Sequence, residues 1–374
     1  MVLVRDGAIG DVIQITPAVR AWAQAGYRVT VIAHRDIGDA VLANNPHVYA
    51  IHDMPHDLPW KRRTALIAQY VKRHGIDANR WIDLAGSCEN RYLWHSHRPE
   101  YHYAAANRRQ ASAGVNYVKH ICCDLAGAPD ARMELHASES EQRWCDAFRA
   151  RFAGKTIVYL QLHGSSLNKA WPYWPILVEA LHRDPRVVVV TGGSPRATTL
   201  ERGIHEYAGV DHKRFLPLAS NGGDAWTLRN AILMTRAAHV VIGPETGLIN
   251  AALAWGTPTV ILHSHAAPEN LVPQEHRYNV VSITPDPKLA PCAPCYKIVG
   301  DEDGCDTCYW GDSWLRSAYR CMAAIEPATV YQKVRGVLDG IQNPCVTADE
   351  RGACACLPEL RACGAPSRTS VAVA

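Results

Sequence analysis

The residues best placed to do chemistry lie in one stretch, Val240–Leu262, which reads VVIGPETGLINAALAWGTPTVIL. An apolar run ends at Ile242, and Gly243, Pro244, Glu245, Thr246 and Gly247 follow. Leu248, Ala251, Ala252 and Ala254 then recur at helical spacing, Gly256 closes the helix, and Thr259–Leu262 reads as another buried strand. This is one βαβ unit with its turn at the carboxyl end of a strand. Glycines in such a turn let a ligand approach the backbone, and the first N–H groups of a helix attract anions. With the Thr246 hydroxyl added, the stretch predicts a pocket for the phosphates of a nucleotide-linked substrate. The same residues also read as a plain strand-to-helix turn with Thr246 as its N-cap.

A second constellation is built of sulfur. Cys292-x-x-Cys295 is followed, after nine intervening residues, by Cys305-x-x-Cys308. Two such pairs supply four thiolates for a tetrahedral, structural zinc site, with oxidised pairs or free thiols as the alternative. Nine of the 13 cysteines lie after position 290. The odd total, with no export signal visible, argues against a disulfide framework. Cys345, Cys354, Cys356 and Cys363 form a looser set that fits no zinc spacing.

These residues need a scaffold. A chain of 374 residues predicts two domains, each with its own core. Apolar residues are 48% and charged residues 20%, and the net charge of +3 is too small to argue for nucleic acid or a membrane surface. No apolar run is long enough to span a bilayer, so the expected location is the cytosol, with at most peripheral membrane contact. Strand and helix patterns alternate along the first half: Val2–Arg5, a helix through Val12–Trp22 that Pro17 bends, Val29–Ala33, Val48–Ile51, the helix Trp60–Arg73 and the strand Trp81–Leu84. Further helices are read at Val118–Leu125 and Glu139–Arg151. The pattern restarts with Thr156–Leu160, the polar loop His163–Lys169, a helix to His182, the strand Val187–Thr191 and helices Ala197–Tyr207 and Trp226–Arg236. The reading is α/β: two doubly wound, Rossmann-like domains facing a cleft, divided at 153/154.

With these residues in hand, the chain resembles glycosyltransferase family 9, the bacterial heptosyltransferases of the lipopolysaccharide core, over roughly residues 1–340. Gly7-Ala8-Ile9-Gly10-Asp11 with Thr16-Pro17-Ala18 resembles the family's G-x-x-G-D…T-P-A opening. Ile82-Asp83-Leu84 resembles a later strand motif of the same domain, and His163-Gly164-Ser165…Lys169…Trp171-Pro172 the phosphate loop. Val241–Ala252 resembles G-x-D-T-G-x-x-H-x-A-A, and Cys321-Met322 with Ile325 the closing C-M-x-x-I. Three departures fall at the donor side: Glu245 stands for the usual aspartate, Asn250 for the usual histidine, and His263-Ser264-His265-Ala266-Ala267-Pro268 for F-G-P-T-x-P.

The resemblance implies a GT-B architecture. Residues 1–153 form the acceptor side, and residues 154–342, with a Cys-rich insertion at 291–321, bind the nucleotide sugar; residues 343–374 are a tail. It implies metal-independent, inverting transfer of a heptose or related sugar, with ADP-heptose the favoured donor, no cofactor required beyond that donor, and a saccharide or lipid-linked saccharide as acceptor. Asp11 is then the general base; a helix-terminal carboxylate held by the dipole is its plainer role. Ser165, Ser166, Lys169, Thr246 and the N–H groups of Gly247 and Leu248 meet the diphosphate. Glu201 is a candidate for the ribose hydroxyls, with a surface-helix position as its plainer reading; Glu245, which either orients the turn or touches the sugar, and Asn250 belong to the same donor side. The stretch Arg91–Arg109, rich in Arg, His, Tyr and Trp, suits an anionic or sugar acceptor, and suits a solvated loop nearly as well. Two rival functions stay open: a nucleotide-sugar epimerase or hydrolase on the same scaffold, and a non-catalytic sugar-nucleotide or glycan-binding protein.

Overall fold

The computed structural model describes residues 1–55, 60–77, 80–88, 91–95, 99–193, 197–208, 210–221, 226–298 and 319–342. Twelve strands are assigned along these residues: β1 (Val2–Val4), β2 (Val29–Ala33), β3 (Val48–Asp53), β4 (Trp81–Asp83), β5 (Trp94–His95), β6 (Thr156–Gln161), β7 (Val187–Gly192), β8 (Phe215–Pro217), β9 (Val240–Pro244), β10 (Thr259–Leu262), β11 (Val280–Ile283) and β12 (Lys297–Ile298). They make one four-stranded sheet of order β3-β2-β1-β4, one six-stranded sheet of order β11-β10-β9-β6-β7-β8, and the small pair β12-β5. Every pairing is parallel. Runs such as Val187–Val190 are apolar without alternation because helices cover both faces of a parallel sheet. This is the doubly wound pair of sheets that the alternating pattern predicts.

Two local departures have simple causes. The helix expected through Val12–Trp22 is two, Ile9–Gln14 and Thr16–Gln24. Pro17 has no N–H for the carbonyl of Ile13, which accepts the Thr16 hydroxyl instead at 2.8 Å. The segment expected as the helix Val118–Leu125 is a short turn of helix, Tyr117–Lys119, that widens into π-helical turns over His120–Leu125. Gly256 does close its helix, at φ +76°, a conformation glycine adopts without strain.

The two sheets are tied by contacts that cross between chain halves. The helix Glu139–Ala150 lies on the helix Leu228–Ala237, where Arg149 donates to the carbonyls of Arg236 (2.6 Å) and Ala237 (3.0 Å). The Met133 N–H donates to His276 Nε2 at 2.9 Å. His276 is buried, and burial lowers its pKa to about 4. Between the unfolded histidine pKa and about 4 the unfolded chain binds the extra proton, so stability is present near neutrality and falls as the pH drops through that window. Denaturant unfolding at pH 7 and pH 5 is expected to differ by about 2 kcal/mol on account of this ring. His239 and His263, also lowered to about 4 by burial, titrate in the same sense. The check is therefore His276→Gln, which flattens the slope; an unchanged slope refutes the assignment.

Candidate active site

Asp11 sits just after β1, where Gly7, at φ +122°, turns the chain. A Cβ on Gly7 would lie 2.5 Å from Asp11 Oδ2, so the carboxylate folds back into space that only glycine leaves. Oδ2 accepts the Ala8 N–H (2.7 Å), and Oδ1 accepts from Arg5 Nη2 (2.7 Å). Arg5 is buried and is itself anchored through Nη1 to the Leu84 carbonyl at 3.0 Å. Asp11 remains one quarter exposed. Asp83, from the Ile82-Asp83-Leu84 motif, is bound instead by the buried Arg63 at 2.9 and 3.1 Å.

The second half brings its own turns to the same place. The loop after β6 carries His163 to Lys169, and the turn after β9 leads into the helix Gly247–Trp255. Thr246 holds the N-cap position with extended backbone, but its side chain makes no capping bond. Its Oγ1 is buried and, among the described residues, has no hydrogen-bond partner, nor does Gln161 Oε1 in the same cavity. Buried polar atoms left unpaired at a helix start are those a ligand satisfies. A Cβ on Gly164 would meet Lys169 Cδ at 2.6 Å and Thr246 Cγ2 at 3.0 Å, so lysine and threonine converge over that glycine. No ion-pair partner of Lys169 is found among the described residues.

One cavity of about 590 Å³ joins the two halves. Asp11, Ser165, Ser166, Lys169, Glu245, Thr246, Gly247, Leu248 and Asn250 all line it, together with His163, Trp226, His265 and Lys297. The halves meet on glycine: a Cβ at Gly247 would stand 2.6 Å from Ile9 Cβ and 2.8 Å from Gly10 N. The start of the Asp11 helix is thereby seated against the start of the Thr246 helix. Asn250 Nδ2 lies against Gly10 at the same junction.

Other expected residues have different places. Glu201 does not line the cavity. It is buried on its helix, where it accepts from Thr191 Oγ1 (2.7 Å), from the N–H of Ala219 (3.1 Å) and from the N–H and hydroxyl of Ser220 (2.7 and 2.5 Å). Its carboxylate holds the Leu218–Asn221 turn. Glu245 is buried too. Burial alone pushes a carboxyl upward, but the hydrogen bond from His265 and the nearby Lys169 charge outweigh it and hold Glu245 well below the usual range.

Within Arg91–Arg109, the two last arginines bond to carbonyls elsewhere in the chain. Arg108 donates to the carbonyls of Cys295 (2.6 Å) and Tyr101 (3.2 Å), and Arg109 to those of Pro291 and Ala293 (both 3.2 Å). The Cys-rich segment is thus clasped by the first half. The β12-β5 pair extends this contact, and Lys297 lies 4.0 Å over the Tyr101 ring. Cys292 is partly buried and Cys295 buried, whereas Cys305 and Cys308 lie outside the described residues, as does the tail 343–374. Cys321, buried, has its thiol pushed up by burial and by the proximity of Cys295, Glu245 and Cys292. Among the described residues no three His, Cys, Asp or Glu side chains converge as a metal site.

Parallel sheets in two halves whose strand ends open on one cavity make a GT-B fold, and solved structures match it. The family model of glycosyltransferase family 9 (heptosyltransferase) matches residues 85–298, and the chain belongs to that family. The glycosyl transferase family 9 protein from Veillonella parvula DSM 2008 superimposes with a TM-score of 0.61 at 12% identity, covering 90% of this chain and 96% of that one. E. coli ADP-heptose lps heptosyltransferase II gives 0.58 at 16% identity, covering 91% and 99%. The dodecameric iron-containing heptosyltransferase TibC of enterotoxigenic E. coli, in complex with ADP-D-beta-D-heptose, gives 0.51 at 11%, covering 91% and 77%. At these identities the likeness is one of fold. No curated protein matches the chain.

Gln161 and Trp226 are cavity residues that the sequence reading did not select, and His265 entered it only within a departure from the family pattern. For His265 a signal existed: a polar His-Ser-His stands where the family has an apolar segment.

Proposed function

We propose that this glycosyltransferase moves a heptose, or a closely related sugar, from a nucleoside diphosphate sugar to a saccharide acceptor such as lipopolysaccharide core, with inversion and without a catalytic metal. ADP-heptose is the favoured donor. The observation that carries the reading is that Asp11 from one half and Lys169 and Thr246 from the other line a single cavity. Asp11 takes the proton of the acceptor hydroxyl as that oxygen attacks the anomeric carbon. The bond from that carbon to the diphosphate oxygen breaks on the opposite face. The charge that develops on the leaving phosphate is met by Lys169, the Thr246 hydroxyl and the N–H groups of Gly247 and Leu248, with Ser165 and Ser166 on the facing loop. The division into residues 1–153 on the acceptor side, 154–342 on the donor side and a tail at 343–374 belongs to the same reading.

The test is a thermal-shift screen with ADP, UDP, GDP, CMP and ADP-heptose, followed by turnover with and without a saccharide acceptor. A ligand that binds only the native state raises its stability. A selective rise with ADP, and a larger one with ADP-heptose, supports the reading. A rise with UDP or GDP alone removes the heptose, and sugar release without acceptor moves the protein to the hydrolases.

Cys292, Cys295, Cys305 and Cys308 complete the proposal as a structural thiolate site, with zinc as its metal. The donor set is all sulfur, which suits zinc and also iron, the metal named for TibC. Protein purified under reducing conditions is expected to carry about one equivalent of zinc per chain and to lose it in Cys292→Ser/Cys295→Ser. Iron in its place changes the metal and keeps the site; less than about a tenth of an equivalent of either removes it.

A further inference from the structure

The turn after β9 carries a glutamate where the family has an aspartate, and the structure gives the extra methylene a purpose. The Glu245 oxygens accept the N–H of Ser264 (2.9 and 3.0 Å), the Ser264 hydroxyl (2.5 Å) and the N–H of His265 (3.0 Å). Oε1 also stands 2.7 Å from His265 Nδ1. The carboxylate reaches across to the loop after β10 and is engaged there on both oxygens.

His265 is 5% exposed and lines the cavity. Its Nδ1 faces Glu245 and the Ser264 hydroxyl, and among the described residues nothing bonds to Nε2 on the other edge of the ring. Burial, and next the charge of Lys169, disfavour protonation of this ring. A neutral imidazole that gives its Nδ1 proton to a carboxylate presents Nε2 as a bare acceptor.

The sheet order says what that acceptor meets. Reading inward from the far edge, the strands run β8, β7, β6, β9, β10. Gly193, just after β7, Lys169, after β6, Thr246, after β9, and His265, after β10, all line the cavity, so they follow one another in the order of their strands. A nucleoside diphosphate seated on Thr246 with its nucleoside toward Gly193 points its glycosyl unit at β10.

We propose that His265 Nε2 accepts a hydrogen bond from a hydroxyl of the donor's glycosyl unit, and that Glu245 is a positioning residue that fixes the ring and its tautomer. The proposal rests on the donor-site reading above and deepens it.

The test is calorimetric titration of the intact protein with ADP and with ADP-heptose. The wild type is expected to prefer ADP-heptose. His265→Phe keeps the ring and the backbone bonds to Glu245 but lacks the acceptor; its ADP affinity stays within about twofold, and its preference for ADP-heptose falls about five- to tenfold. Glu245→Asp, which restores the family's residue, draws the carboxylate back from His265 and loses the same preference. If Glu245 acts through His265, the double variant loses no more than either single one. Full preference for ADP-heptose in His265→Phe overturns the proposal, whatever the fate of Glu245→Asp, and so does a further loss in the double variant. A wild type that binds both ligands equally overturns it while leaving the nucleotide site standing. A wild type that binds neither these nor UDP and GDP overturns the donor-site reading, and this proposal with it.

Discussion

Asp11→Asn lowers the rate of glycosyl transfer by about a hundred- to ten-thousand-fold, while ADP affinity stays within about twofold. The asparagine keeps the shape, so its side-chain oxygen still meets Arg5 or the Ala8 N–H, both at 2.7 Å in the wild type. What disappears is the ability to take a proton as the acceptor oxygen attacks, an interaction that exists only in the transition state and therefore appears in kcat and not in ground-state affinity. Asparagine is the better probe than alanine because it keeps an acceptor for the buried Arg5. Steady-state kinetics with saturating donor and acceptor, beside ADP titration, checks this. Wild-type turnover in the variant removes Asp11 from the chemistry; lost ADP affinity with unchanged kcat assigns it to binding.

Lys169→Met weakens ADP binding by about ten- to a hundred-fold, the value of one charge-assisted contact to a phosphate. Methionine keeps most of the aliphatic stem that covers Gly164, so packing against Thr246 survives and the missing charge is isolated. The wild-type affinity falls with added salt, and the variant's falls less steeply. The same titration at two salt concentrations measures both effects. Unaltered ADP affinity places Lys169 away from the diphosphate. Thr246→Ala bears on the same contact: among the described residues its Oγ1 has no partner, so its loss costs the ligand and not the fold.

The alternation of strands and helices was legible because each element carries its period or its apolar run locally, and its stops are glycine or proline. Val240–Leu262 shows this best: strand, turn, helix and the closing Gly256 all stand within a few residues of their predicted bounds. Pro17 announced the break between the first two helices. The family was legible for the same reason, since its motifs sit on those turns.

What the sequence could not carry was which side chains face each other across the chain. Glu201 and Glu245 look alike as acidic residues near phosphate turns. Only packing engages one with Ser220 and aims the other at His265. Arg108 reads as a surface charge, yet its partner, the Cys295 carbonyl, lies 187 residues away. The seating of Gly247 on Gly10, which brings the two halves of the site together, is likewise a contact between distant segments. The sequence by itself determined the elements, the turns that hold the chemistry and the family, because those depend on neighbours a few residues apart. The tertiary structure decided which acidic and basic groups reach the cavity, because a buried charge must find its partner wherever the fold places one.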